Sequence, residues 1–172
     1  VQLQLMHKHD EELWQLVQNG QMDIAITTDA QNLPKGLLYL PCSAMKRLLI
    51  APRNHPVLRL PSVTLEAIAE YPLVTFNETS SGRRRLLRAF SAHGLTPKIS
   101  ASAEDEDVIK EFVREGLGIT ILASIVYDAK RDSGLGAVDV TRLLEPSTTG
   151  IIVRRNMLKH EPIRSEEHTS EL

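Results

Sequence analysis

The stretch 73-LVTFNETSSGRRRLLRAF-90 decides how this chain is read. Four apolar or β-favouring residues, 73-LVTF-76, make a compact strand. A polar run, 77-NETSS-81, breaks it. From residue 83 onward Leu86, Leu87 and Phe90 fall on one face of a helix, with Gly94 at its exit. Strand, tight loop and helix in direct succession are half of a βαβ unit. Another strand, 98-KISAS-102, follows, then a helix over 105–116 with Val108, Ile109, Phe112 and Val113 on one face, then a strand at 118-GITIL-122. Strands alternating with helices predict an α/β fold with mostly parallel sheets.

The rest of the chain fits the same pattern. Val1, Leu3 and Leu5 alternate with glutamines, as in a strand. A helix over 11–19 carries Leu13, Leu16 and Val17 on one face and stops at Gly20, and 23-DIAITT-28 is the next strand. The two strands are expected to pair in parallel across that helix. Strands are also predicted at 37–41, 47–52, 135–140 and 149–155. Two prolines make 53–63 a loop, and Thr64 caps a short helix over 65–71. The polar, patternless run 164–172 is read as a disordered or non-native tail.

Composition narrows the function. Of 172 residues, 24% are charged, 4% are aromatic, and the net charge is -2. A chain that grips nucleic acid by itself usually carries a basic excess and stacking aromatics, and both are missing here. Cys42 is the single cysteine, so no internal disulfide or cysteine-rich metal knuckle is expected. It is read as a small buried thiol in a reducing, cytoplasmic setting. No apolar run reaches the length of a membrane span. His7 and His9 share a strand face without a third ligand in view, so neither a metal nor another cofactor is expected. Nucleophile elbows and Walker loops are absent, which argues against an enzyme.

The loop before the 83–93 helix remains. Hydroxyls at Thr79, Ser80 and Ser81, with the backbone amides of Gly82 and Arg83, can surround an oxyanion at a helix start. Arg83 adds charge there, while Arg84 and Arg85 are left for solvent. A plain serine cap with a basic outer face explains the same residues equally well. Thr27 and Thr28 end another strand, and ligands of open α/β sheets gather at such ends. The physics points to a small-anion binding module.

Several stretches together resemble the effector-binding domain of LysR-type transcriptional regulators, and in particular the branch governing cysteine biosynthesis and sulfate assimilation. They are 19-NGQMDIAITTDA-30, 40-LPC-42, 51-APRNHPV-57, 63-VTLEAIAEYPLVTF-76, 81-SGRRRLLRAFSAHGLTPKI-99, 107-DVIKEFVREGLGITILAS-124 and 148-TTGIIVRR-155. The resemblance implies two α/β lobes like those of type 2 periplasmic binding proteins, joined by crossover strands. Lobe I would hold 1–75 and 146–163, incomplete for want of upstream residues, and lobe II 76–145. It implies a cleft that takes sulfate, thiosulfate or an acetylated serine, with Thr28 and Ser81 as hydroxyl ligands. It also implies a homodimer or homotetramer that reads promoter DNA through a helix-turn-helix domain upstream of Val1. The sequence departs from that branch at 77-NETSS-81 and at Glu104, both of which bring carboxylates toward the anion. A solute-binding protein of an anion transporter is the rival that the same fold allows.

Overall fold

The computed structural model describes residues 6, 10–28, 30 and 32–159. The expected strand at 1–5, its parallel partner arrangement and the tail at 164–172 lie outside the described residues. Four helices and eight strands follow in order: α1 (Asp10–Gln18), β1 (Ile24–Thr27), β2 (Leu37–Ala44), β3 (Arg47–Pro52), α2 (Leu65–Ala69), β4 (Leu73–Phe76), α3 (Ser81–Ala92), β5 (Ile99–Ala103), α4 (Glu106–Arg114), β6 (Thr120–Ala123), β7 (Leu135–Asp139) and β8 (Thr148–Arg154). Short 3-10 turns punctuate them at Pro56–Arg59, Ser124–Val126, Thr141–Leu143 and Arg155–Lys159.

The chain divides into two compact units, one holding the described residues up to Ser43 and from Thr149, the other Ala44–Thr148. This corrects the boundary expected at 75/76. Residues 44–75 belong to the second unit because β3 is hydrogen-bonded between β6 and β7, with Ile50 opposite both Thr120 and Ala137. Apolar runs reveal that a segment is a strand, but not which sheet receives it.

In the first unit the sheet order is β1-β8-β2. β1 runs antiparallel to β8, with Ile24 opposite Val153 and Thr27 opposite Gly150. Gly150 is required by space. A Cβ there would lie 2.3 Å from the ring of Tyr39 and 2.6 Å from the Leu40 carbonyl oxygen. α1 closes a small core of Leu13, Val17, Ala25, Leu37 and Ile152. Its end is held by Arg154, whose Nη1 donates to the carbonyls of Val17 (2.7 Å) and Met22 (2.8 Å), a cation where the helix dipole is negative.

The second unit contains the larger core. β4 and β5 pair in parallel, and a parallel bridge joins Leu73 to Ile119 at the entry of β6. β6 and β7 each run antiparallel to β3. β4, β5, β6 and β7 thus share one direction, and β3 alone is reversed. The expectation of parallel pairing therefore holds for β4–β5 and fails around β3, which arrives from the other unit and not from a packed helix. The β4–β6 junction depends on Gly118, where a Cβ would sit 2.3 Å from the Pro72 carbonyl oxygen.

β3 is covered on both faces. Leu49 and Ala51 pack with Leu65 and Ile68 of α2 and with Leu86 and Phe90 of α3. Ile50 packs on the other side with Ile109 and Val113 of α4. The phase of α4 differs from the expected one, since Val108 is 43% exposed while Lys110 is buried. The segment after β6 folds over that flank of the helix, where Lys110 Nζ donates to the Val126 carbonyl (2.8 Å) and to Asp132 Oδ2 (3.3 Å). Cys42, expected to be buried, is exposed on the outer half of β2.

Candidate functional site

The loop between β4 and α3 is built by its own polar residues. Ser80 N–H donates to the Asn77 carbonyl (3.1 Å), closing a turn. Ser80, extended at φ -72° and ψ 131°, caps α3 by accepting from Gly82 N–H at 3.2 Å. Arg84 N–H donates to the Ser80 carbonyl (3.2 Å), the first bond of the helical ladder. Ser81 is the first helical residue and is half-buried. The N–H groups of Ser81 and Arg83 have no acceptor among the described residues, as expected of the first turn of a helix. Two amides without an acceptor among the described residues are therefore left at the positive end of a twelve-residue helix, whose first residue is Ser81.

The arginines divide by helix face. Arg83 is about 200° around the helix from Ser81. Its guanidinium turns back toward β4, donating from Nη1 to the Phe76 carbonyl (3.1 Å), with Nη2 3.6 Å from Glu78 Oε1. It lines an open hollow of about 470 Å³ with Asn77, Glu78 and residues 99–102. Arg84 Nη1 donates to the Thr79 carbonyl (2.7 Å) and is exposed. Arg85, expected in solvent, is buried at 7% exposure, and its Nη1 donates to the Pro146 carbonyl (3.4 Å). Its position four residues after Ser81 puts both on one face of α3. That spacing was visible in the sequence, but three consecutive arginines concealed which one turns inward.

The two carboxylates that depart from the resembled pattern are both engaged. Glu78 faces Arg83, and Glu104 accepts from Asn77 Nδ2 at 3.4 Å. The remaining sequence candidates lie in the first unit. Thr27 is buried at the end of β1, and Thr28 follows it half-buried. Ser81, Gly82 and Arg83 come together on one helical turn of the second unit. Among the described residues no three His, Cys, Asp or Glu side chains are grouped to hold a metal, and no helix is long and apolar enough to cross a membrane.

Comparison with known proteins agrees with this architecture. The family model described as LysR substrate binding domain matches residues 1–165. The transcriptional regulator SsuR of Burkholderia cenocepacia is 36% identical over 155 residues, covering 90% of this chain and 50% of that protein. The regulator CysB of the same organism is 35% identical with the same coverage. The regulator cbl of Escherichia coli is 33% identical over 159 residues, covering 92% of this chain and 50% of its own. The chain thus spans about half the length of these curated relatives. Among solved structures, the cofactor-binding domain of the Cbl regulator superposes with a TM-score of 0.79 at 32% identity, over 87% of this chain and 66% of that one. The effector-binding domain of QuiR, solved with shikimate, has a TM-score of 0.74 at 19% identity over 87% and 70%, which speaks for the fold. These relatives are transcriptional regulators and not enzymes. With a matched model covering nearly the whole chain and a two-unit α/β architecture shared with such domains, this chain belongs to the LysR substrate-binding domain family.

Proposed function

We propose that this chain is the effector-sensing part of a DNA-binding transcriptional regulator of sulfur and cysteine metabolism. Its effector is a small oxyanion such as sulfate or thiosulfate, or an acetylated serine. The observation that carries the reading is the start of α3, where Ser81 is the first helical residue and the amides of Ser81 and Arg83 have no acceptor among the described residues. Kinship with regulators named SsuR, CysB and cbl supports the sulfur assignment. The role of Thr28 as the hydroxyl ligand from the first unit belongs to the same reading, as does Gly82 as the residue that brings backbone close to the anion.

No bond need be made or broken for this function. An effector that prefers one arrangement of the protein shifts the population toward it by its differential affinity, and DNA read by another part of the protein registers the shift. The protein acts as a homo-oligomer in the cytoplasm, with promoter DNA as its second partner.

Calorimetry on the full-length protein tests the site. A charge-assisted hydrogen bond contributes about 1.5–3 kcal/mol, so Ser81→Ala weakens sulfate or thiosulfate binding roughly tenfold or more. Unchanged affinity for both anions removes Ser81 from the site.

A further inference from the structure

The first turn of α3 has a second polar side, turned away from Ser81 and inside the second unit. An open hollow of about 470 Å³ lies there, lined by Asn77, Glu78, Arg83 and residues 99–102 of β5. A hollow of that volume takes a small molecule. Its two opposite charges are held differently. The Arg83 side chain is 14% exposed, and its Nη1 is tied to the Phe76 carbonyl at 3.1 Å. That bond fixes the guanidinium and leaves Nε and Nη2 without a hydrogen bond among the described residues.

Glu78 is 89% exposed, and its Oε1 stays 3.6 Å from Arg83 Nη2, beyond hydrogen-bonding distance. A pair so loose and so wet contributes little, so the carboxylate can turn to another partner at small cost. The wall of β5 adds hydroxyls. Ser100 Oγ donates to the Leu73 carbonyl at 3.2 Å, which leaves its lone pairs to accept. Ser102 is exposed on the same face, two residues on.

This combination selects by charge. A dianion at Arg83 meets the repulsion of Glu78, and a simple cation at Glu78 meets that of Arg83. A zwitterion satisfies both. Its carboxylate accepts from the free fork of Nε and Nη2. Its ammonium, with three donors, is met by Glu78 and the serine hydroxyl oxygens. We infer that this hollow is a second effector site and that its ligand is a free α-amino acid. The inference goes beyond the oxyanion reading and does not rest on it. The two sites share Arg83, whose backbone N–H lies at the α3 start and whose guanidinium lies in the hollow, so the two ligands meet through one turn of helix.

The test titrates three probes calorimetrically into the full-length protein: L-alanine, propionate, which lacks the ammonium, and ethylamine, which lacks the carboxylate. Alanine is expected to bind at least about tenfold more tightly than either fragment, the gain of one charge-assisted bond. Glu78→Gln, at an exposed position, brings alanine within about twofold of propionate. Arg83→Gln brings it within about twofold of ethylamine. If loss of the Phe76 anchor leaves Arg83→Gln without a cooperative melting transition, Glu78→Gln alone decides. Alanine binding no tighter than its fragments in the unsubstituted protein, or an advantage over propionate that survives Glu78→Gln, overturns the site. Loss of alanine binding with Ser81→Ala puts the amino acid at the α3 start and overturns it as well. Alanine binding retained in Ser81→Ala, with sulfate affinity unchanged, upholds the hollow while removing Ser81 from the oxyanion site.

Discussion

His55 shows how much a single side chain can set. Its Nδ1 accepts from Val57 N–H at 3.2 Å and caps the 3-10 turn that follows β3. Its ring lies edge-on to Tyr71 at 4.6 Å. Burial holds its pKa below the ordinary 6.5, because loss of hydration disfavours the charged imidazolium. The folded state therefore binds fewer protons than the unfolded state near this pH. The contribution of His55 is complete above about pH 6.5 and is lost as pH falls through 6.5 toward the lower folded value. His55→Asn keeps a capping acceptor but cannot titrate, so the drop in melting temperature between pH 7.5 and 5.5 is expected to be smaller in the variant. An identical drop in both proteins rules the mechanism out. At this scale the sequence was only partly legible. The hydroxyls and glycine at 79–82 could be read as a helix start because capping is local chemistry. The inward turn of Arg85 and the burial of Lys110 could not, because each is decided by a segment distant in sequence: 146–147 for one, 126–132 for the other.

The hold of α4 on the segment after β6 is an interaction between elements. Lys110 Nζ meets Asp107 Oδ1 at 2.9 Å and Asp132 Oδ1 at 3.3 Å, and Asp132 also accepts from Asp128 N–H at 3.0 Å. Burial alone would lower the lysine, but hydrogen bonds to Asp107 and Asp132 win and hold its pKa above 10.5. The pair therefore contributes fully below 10.5 and is lost only as pH rises through the raised value. Removing Lys110 leaves the buried Asp132 with the Asp128 N–H and, at 3.6 Å, Arg114 Nη2 in place of its buried cation. Lys110→Met is expected to cost about 3–5 kcal/mol, and adding Asp132→Leu should recover much of that loss. Denaturant melts of the single and double variants measure it, and additive losses would sink the coupling. Element types were readable throughout the described chain, because capping residues and apolar periodicity are local. Thr64 caps α2 by accepting from Ala67 N–H, and Asp105 caps α4 by accepting from Asp107 and Val108 N–H. Strand direction was not readable around β3, whose apolar run 47-RLLIAP-52 would look the same in either orientation.

At the scale of the whole molecule the two units differ in how much they bury. The first has Leu13, Val17, Ala25, Leu37 and Ile152 at its centre. The second has two layers of apolar contact, one on each face of β3. Opening free energy follows buried apolar contact, so hydrogen exchange in the full-length protein is expected to be at least about tenfold faster for amides of residues 13–37 than for residues 49–51 and 119–122. Equal protection would show that the small core is supported by contacts beyond those described. The division itself was legible as two lobes only through the family resemblance. The place of the division was not, since it follows from the pairing of β3 and not from any change in composition. The chain passes between the units at 43/44 and again at 148/149, and Cys42 stands exposed one residue before the first passage. It is the one thiol of these 172 residues, and its exposure makes it an attachment point for a dye or spin label. A maleimide probe there on the 172-residue chain would sit beside the connection between the two units, and its spectrum would report on binding of the proposed oxyanion effector.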